Sequence, residues 1–110
     1  MTKLLIVDDD EFIRTGIGHL VDWSELGVEL AGFAKSGNEA YALFLEKQPE
    51  IILTDIKMPD GNGLELIEKI RQKDWGTQIV VLSGYDDFNY VRQAMKFQVE
   101  DYLLKPVDAD

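Results

Sequence analysis

Cysteine is absent from this 110-residue chain, which excludes both a disulfide framework and a thiolate metal site. That absence fits the cytoplasm. Histidine occurs once, at His19, so no Ser-His-Asp arrangement can be assembled. No apolar run approaches the ~20 residues of a bilayer span, and no signal-peptide pattern opens the sequence. Basic residues are scarce, 11 Lys and Arg against 21 Asp and Glu, giving a net charge of -10. Such a balance counts against direct nucleic-acid contact and suits a cation or a partner with a basic patch. Repeats, linkers and low-complexity segments are missing as well. What remains is 45% apolar and 29% charged, the balance of one ordinary globular domain with a single core.

Short apolar runs alternate with helical stripes. Lys3-Leu4-Leu5-Ile6-Val7 reads as a buried strand stopped by Asp8-Asp9-Asp10. Ile13, Ile17, Leu20 and Val21 recur at helical spacing, with Asp10 and Glu11 in the first turn and His19 as a structural or surface residue between them. Trp23 and Leu26 fall in a short connection closed by Gly27, and residues 28–34 form a second strand. Ser36-Gly37-Asn38 reads as a turn before a helix marked by Ala40, Leu43 and Phe44 that stops near Pro49. The third strand, residues 51–54, runs directly into Asp55. Loop formers from Met58 to Gly63 precede a stripe of Leu64, Ile67 and Ile70. The fourth strand, residues 78–82, ends at Ser83-Gly84, and Phe88, Val91 and Met95 mark a fourth helix. Asp101-Tyr102-Leu103-Leu104 is a last strand, halted by Lys105-Pro106. Five strands alternating with four helices predict an α/β domain with a parallel sheet covered on both faces.

In such a sheet, ligands bind beyond the carboxyl ends of the strands, where strand order reverses. Here those ends carry Asp8 and Asp9, Asp55, Ser83 and Lys105. Each alone is an ordinary turn, cap or solvated residue. Together they gather three carboxylates, a hydroxyl and an ammonium at one edge. Two carboxylates ~4 Å apart repel by about 4 kcal/mol at an effective dielectric near 20, so the group demands a compensating cation or proton. An all-oxygen ligand set points to a hard ion, and beside a phosphate to Mg2+. Asp55, ending an interior strand, is the best-placed nucleophile for an aspartyl phosphate, with Lys105 and Ser83 suited to phosphoryl oxygens.

Four segments then carry a family likeness: Leu5-Ile6-Val7-Asp8-Asp9, Thr54-Asp55-Ile56-Lys57-Met58-Pro59 with Gly63, Leu82-Ser83-Gly84-Tyr85, and residues 101–106. From Lys3 to Val107 the chain resembles a response-regulator receiver domain. The resemblance implies a flavodoxin-like (CheY-like) doubly wound sheet of order 2-1-3-4-5. It implies Asp55 as phosphoacceptor from a phosphohistidine on a sensor histidine kinase. The Mg2+ ligands would be Asp8, Asp9, Asp55 and the Lys57 backbone carbonyl. Lys105 and Ser83 would act in transfer, Ser83 and Tyr102 in switching, and the bond before Pro106 would be cis. Trp23-Ser24-Glu25-Leu26-Gly27 and residues 83–88 resemble receivers that precede an AraC-type DNA-binding output domain, often concerned with carbohydrate uptake in Gram-positive bacteria. The same likeness implies a homodimer face on the fourth helix and fifth strand.

Two features depart from the family. Gln98 stands where glycine is usual, so a positive φ there would be strained. The chain also stops four residues after Pro106, where receivers continue into a fifth helix, so residues 1–110 are expected to be the receiver fragment of a longer regulator. Other readings of the residues stay open. A haloacid-dehalogenase-type phosphatase needs threonine where Phe12 stands. A flavodoxin-like electron carrier would meet repulsion from Asp8-Asp9-Asp10-Glu11, and a receiver-like module could signal without phosphate.

Overall fold

In a computed structural model, residues 2–56, 58, 63–84 and 88–104 are described. Five strands, β1 (Thr2–Val7), β2 (Val28–Ala34), β3 (Ile51–Asp55), β4 (Gln78–Ser83) and β5 (Asp101–Leu104), pair in parallel in the order β2-β1-β3-β4-β5. Between them run α1 (Glu11–Gly18), α2 (Gly37–Lys47), α3 (Gly63–Lys73) and α4 (Phe88–Met95), with a 3-10 helix at Trp23–Leu26. The chain turns one way from β1 and the other way from β3, so the switch in strand order falls between these two central strands.

Side-chain alternation sorts the apolar runs onto two faces. Leu5, Val7, Ile52, Ile79 and Val81 pack with buried residues of α2, α3 and α4. Leu4, Ile6, Leu53 and Leu82 pack with Ile17 of α1 and the partly buried Trp23. A strand buried on both faces needs an unbroken apolar run, which is what β1, β3 and β4 have. The predicted fold class and strand order are those observed, and among the described residues no helix is long and apolar enough to cross a membrane.

Three local expectations are corrected. The α1 spacing continues through Leu20 and Val21, but the helix ends at Gly18 with His19 as cap, and Val21 is exposed. Gly16 and Gly18 weaken its last turn, and the Asp22 side chain starts the 3-10 helix four residues on. Ser36-Gly37-Asn38 is no turn: Ser36 caps α2, its Oγ accepting the Glu39 N–H at 3.1 Å, and Gly37 is already helical. In α4 the buried pair is Val91 and Ala94, while Met95 is exposed. Gln98 does adopt the left-handed conformation, with φ 57°, as does Gln48, the α2 cap, with φ 51°.

Candidate functional site

Register and alternation bring two of the carboxylates together before any side-chain geometry is considered. Ile6 of β1 pairs with Leu53 of β3, and both belong to the α1 face. Asp8 and Asp55 lie two residues further along each strand, so they leave the sheet on that same side at the same level. Asp8 is fully buried and Asp55 nearly so, while Asp9 is exposed. One carboxylate oxygen from each of Asp8, Asp9 and Asp55 lies within 4.8 Å of the others.

The turn holding the first pair is fastened by local hydrogen bonds. The Asp8 N–H donates to the Ala34 carbonyl at 3.0 Å, and Asp8 Oδ1 accepts the Asp10 N–H at 2.9 Å. Asp10 then caps α1 by accepting the Phe12 N–H at 2.9 Å, a short polar side chain satisfying an otherwise unpaired helix donor. Arg14, one turn into α1, donates from Nη1 to the Asp8 carbonyl at 2.7 Å. Its guanidinium therefore ties the helix to the acidic turn and brings positive charge beside it. The sequence reading missed Arg14; its i,i+4 spacing from Asp10 on a helix that opens with acids was the available signal.

Asp55 is held from its backbone. The Thr54 hydroxyl donates to the Asp55 carbonyl at 2.9 Å, and the Ile56 N–H donates to Leu82 of β4 at 3.1 Å. Gly63 starts α3 directly against this strand, its N–H reaching the Ile56 carbonyl at 2.9 Å. A Cβ there would run into the Asp55 carbonyl oxygen and sit 2.8 Å from Ile56 Cα, so only glycine permits the approach.

Asp55 pairs with Leu82, so Ser83, buried at the end of β4, lies one residue beyond that level. Tyr102 pairs with Val81 two residues short of it and is about half exposed. Lys57, Lys105 and Pro106, predicted as carbonyl ligand, phosphoryl-binding ammonium and cis-proline, lie outside the described residues.

A cluster of three carboxylates with two members buried and one open to solvent repels itself and has no soft ligand. That donor chemistry fits a hard divalent cation approached from the Asp9 side. The acidic cluster is of the kind typical of the Mg2+ site of receivers, with Asp8 and Asp9 just after β1 and Asp55 at the end of β3.

Comparison with known proteins agrees. The response regulator receiver domain family matches residues 4–110. The transcriptional regulatory protein YesN of Bacillus subtilis is 45% identical over 106 residues, covering 96% of this chain and 29% of YesN. This chain thus spans under a third of that relative. The receiver domain of AraT, a response regulator from Geobacillus stearothermophilus, superposes with a TM-score of 0.93 at 40% identity, covering 98% of this chain and 84% of that one. A two-component transcriptional regulator AraC from Clostridium phytofermentans does so with a TM-score of 0.85 at 31% identity, covering 99% and 84%. With the fold, the acidic edge and these matches in agreement, the chain belongs to the response regulator receiver domain family, signalling switches rather than classical enzymes, and its relatives include AraC-type regulators.

Proposed function

We propose that this receiver accepts a phosphoryl group on Asp55 from a sensor histidine kinase in a Mg2+-dependent reaction, and switches conformation to control a DNA-binding output domain. The observation that carries this reading is the convergence of the Asp8, Asp9 and Asp55 oxygens within 4.8 Å at the carboxyl edge of the central strands. An Asp55 oxygen attacks phosphorus while the bond from phosphorus to the kinase imidazole nitrogen breaks, and the imidazole leaves with the electron pair. Asp8, Asp9, Asp55 and the Lys57 carbonyl would hold Mg2+, which supplies neutralisation of the charge gathered around the transferred group. Lys105 and Ser83 take phosphoryl oxygens.

Ser83 and Tyr102 form the switch pair on this reading. The half-exposed Tyr102 supports it, because a side chain already packed inward could not respond by moving inward. The domain itself makes no contact with nucleic acid or membrane. It is the receiver part of a longer cytoplasmic transcription regulator, and the names of the relatives support that output. Exposed Met95, Tyr102 and Leu103 support a homodimer surface on α4 and β5.

The test is incubation with acetyl phosphate and Mg2+, followed by intact mass, beside an Asp55→Asn variant. One phosphoryl group gained by the wild type, and none without Mg2+ or in Asp55→Asn, is the expected result. An adduct of equal extent in Asp55→Asn would overturn the assignment of the acceptor.

A further inference from the structure

Among the basic residues described, Arg71 in the last turn of α3 is buried, only 4% exposed. The hydrogen bonds it makes all end on backbone carbonyls. Nε donates to Phe97 at 2.7 Å and Nη2 to Gln98 at 3.1 Å; Nη1 donates to Thr77 at 2.7 Å and Asp74 at 3.2 Å. These bonds draw on all three guanidinium nitrogens, a reach that a planar fork has and a point-like ammonium lacks. The Trp75 ring lies against the guanidinium, 5.4 Å away. Burial lowers the Arg71 pKa from its ordinary value, with Asp74 and Glu100 acting the other way, and the carbonyls replace the water it has lost.

The four carbonyls belong to two separate connections. Asp74 and Thr77 lie between α3 and β4, while Phe97 and Gln98 follow α4 directly. The N–H groups of Phe97 and Gln98 donate back to Ala94 and Met95 at 2.9 and 3.1 Å, so this segment is the continuation of the α4 spiral. Gln98 then turns left-handed, which a side chain other than glycine adopts at a cost of order 1 kcal/mol and keeps only when its surroundings enforce it. Two residues later the Glu100 N–H rejoins the sheet at Ile79, at 2.7 Å. Of the described α4 side chains, Val91 and Ala94 are buried and Tyr90 packs partly buried against the core.

We infer that Arg71 is the positioning residue of α4, pinning its C-terminal end and the left-handed Gln98 to α3 and the start of β4, so that movement of the helix takes place about this end. The pin stands on the contacts just described; its part in switching rests on the proposed phosphorylation of Asp55. Under that reading α4 pivots about a fixed C-terminal end rather than sliding along the sheet, and the change begins beside Ser83.

Residue-resolved hydrogen exchange on the wild type, Arg71→Lys and Arg71→Met tests the pin. In both variants the Phe97, Gln98 and Glu100 amides should lose about tenfold more protection than those of Ile6 and Leu53, which report global opening. Lysine keeps the charge and the stem, so it should fold even if the methionine variant does not, yet fail to restore local protection. Uniform loss across all these amides, wild-type exchange in Arg71→Lys, or failure of Arg71→Lys to fold would each overturn the inference. The pivot is tested by repeating exchange on the wild type after acetyl phosphate and Mg2+, with intact mass on the same sample. Changes concentrated in residues 89–92 support it, and changes greatest at Phe97 and Gln98 overturn it. A sample that gains no phosphoryl group refutes the phosphorylation reading, while the exchange of the Arg71 variants still decides the pin.

Discussion

Among the described residues, the two faces of the sheet are unequally covered. On one, α2, α3 and α4 lie over Leu5, Val7, Ile52, Ile79 and Val81, and α3 alone lays Leu66, Ile67 and Ile70 fully into the interior. On the other, α1 contributes Ile17 as its buried residue, and the 3-10 helix adds a partly buried Trp23 over Leu4, Ile6 and Leu53. Alternation along β1 and β3 sends Asp8 and Asp55 out on this thinner side. Asp8 and Asp55 are buried there, while Asp9, in the turn before α1, is open to solvent. Among the described residues, the thick face holds the larger apolar cluster, and the thin face holds the charges.

The largest effect is expected where the thick face touches the site-bearing strand. Gly63→Ala places a Cβ against the Asp55 carbonyl and Ile56 Cα, which are backbone atoms and cannot swing aside. The expected loss is more than about 3 kcal/mol in urea unfolding, because α3 must back away from β3. A variant within about 1 kcal/mol of the wild type would mean that α3 is not anchored through this contact, and the contrast between the faces would weaken with it.

Next comes a matched pair. Ile67→Ala, on a helix packed beside α2 and α4, is expected to cost about 3 kcal/mol, and Ile17→Ala, on the single short helix α1, about 2 kcal/mol. Equal costs would break the comparison outright, since they would show the thin face to be as tightly packed as the thick one. A cost for Ile17→Ala near zero would sharpen it, by showing that α1 is held mainly through its polar contacts, the Asp10 cap and the Arg14 bond to the Asp8 carbonyl.

What the sequence disclosed follows from the range of the forces involved. The five strands were legible because burial on both faces forces continuous apolar runs, and the acidic cluster was legible because strand ends in a parallel sheet share one edge. Helix limits were less so. Leu20 and Val21 keep the α1 spacing but lie beyond two glycines, and the competing Asp22 cap won. Ser36 and Glu39 form a capping-box pattern that marked the start of α2 three residues ahead of the first apolar marker used, Ala40. Arg71 was not legible at all. A basic residue in the last turn of a helix ordinarily complements the helix dipole in solvent. Its Phe97 and Gln98 partners are backbone carbonyls 26 and 27 residues away, which no local pattern encodes.

The smallest expected effect lies at the lid of the thin face. Asp22 caps the 3-10 helix, and Trp23 behind it donates from Nε1 to the Ile17 carbonyl at 3.1 Å, joining lid to α1. The Ser24 hydroxyl, at 2.7 Å, and then the Glu25 N–H, at 3.4 Å, donate to the Asp22 carboxylate and hold its pKa below the ordinary aspartate value. A carboxyl whose pKa is lower folded than unfolded stabilises the fold above the unfolded value, near 4, and gives up that contribution as pH falls through the folded value. Asp22→Asn can still accept these hydrogen bonds but does not titrate. The stability gap between the wild type and Asp22→Asn should therefore be constant from about pH 7 to about pH 5 and narrow below about pH 4, read from urea midpoints at each pH. The gap will be small, because the carboxylate is solvent-exposed and screened. A gap that stays constant down to about pH 3 would show that the lid is held by the shape of the cap and by Trp23 rather than by charge, and that the thin face carries its functional charges only at the acidic edge.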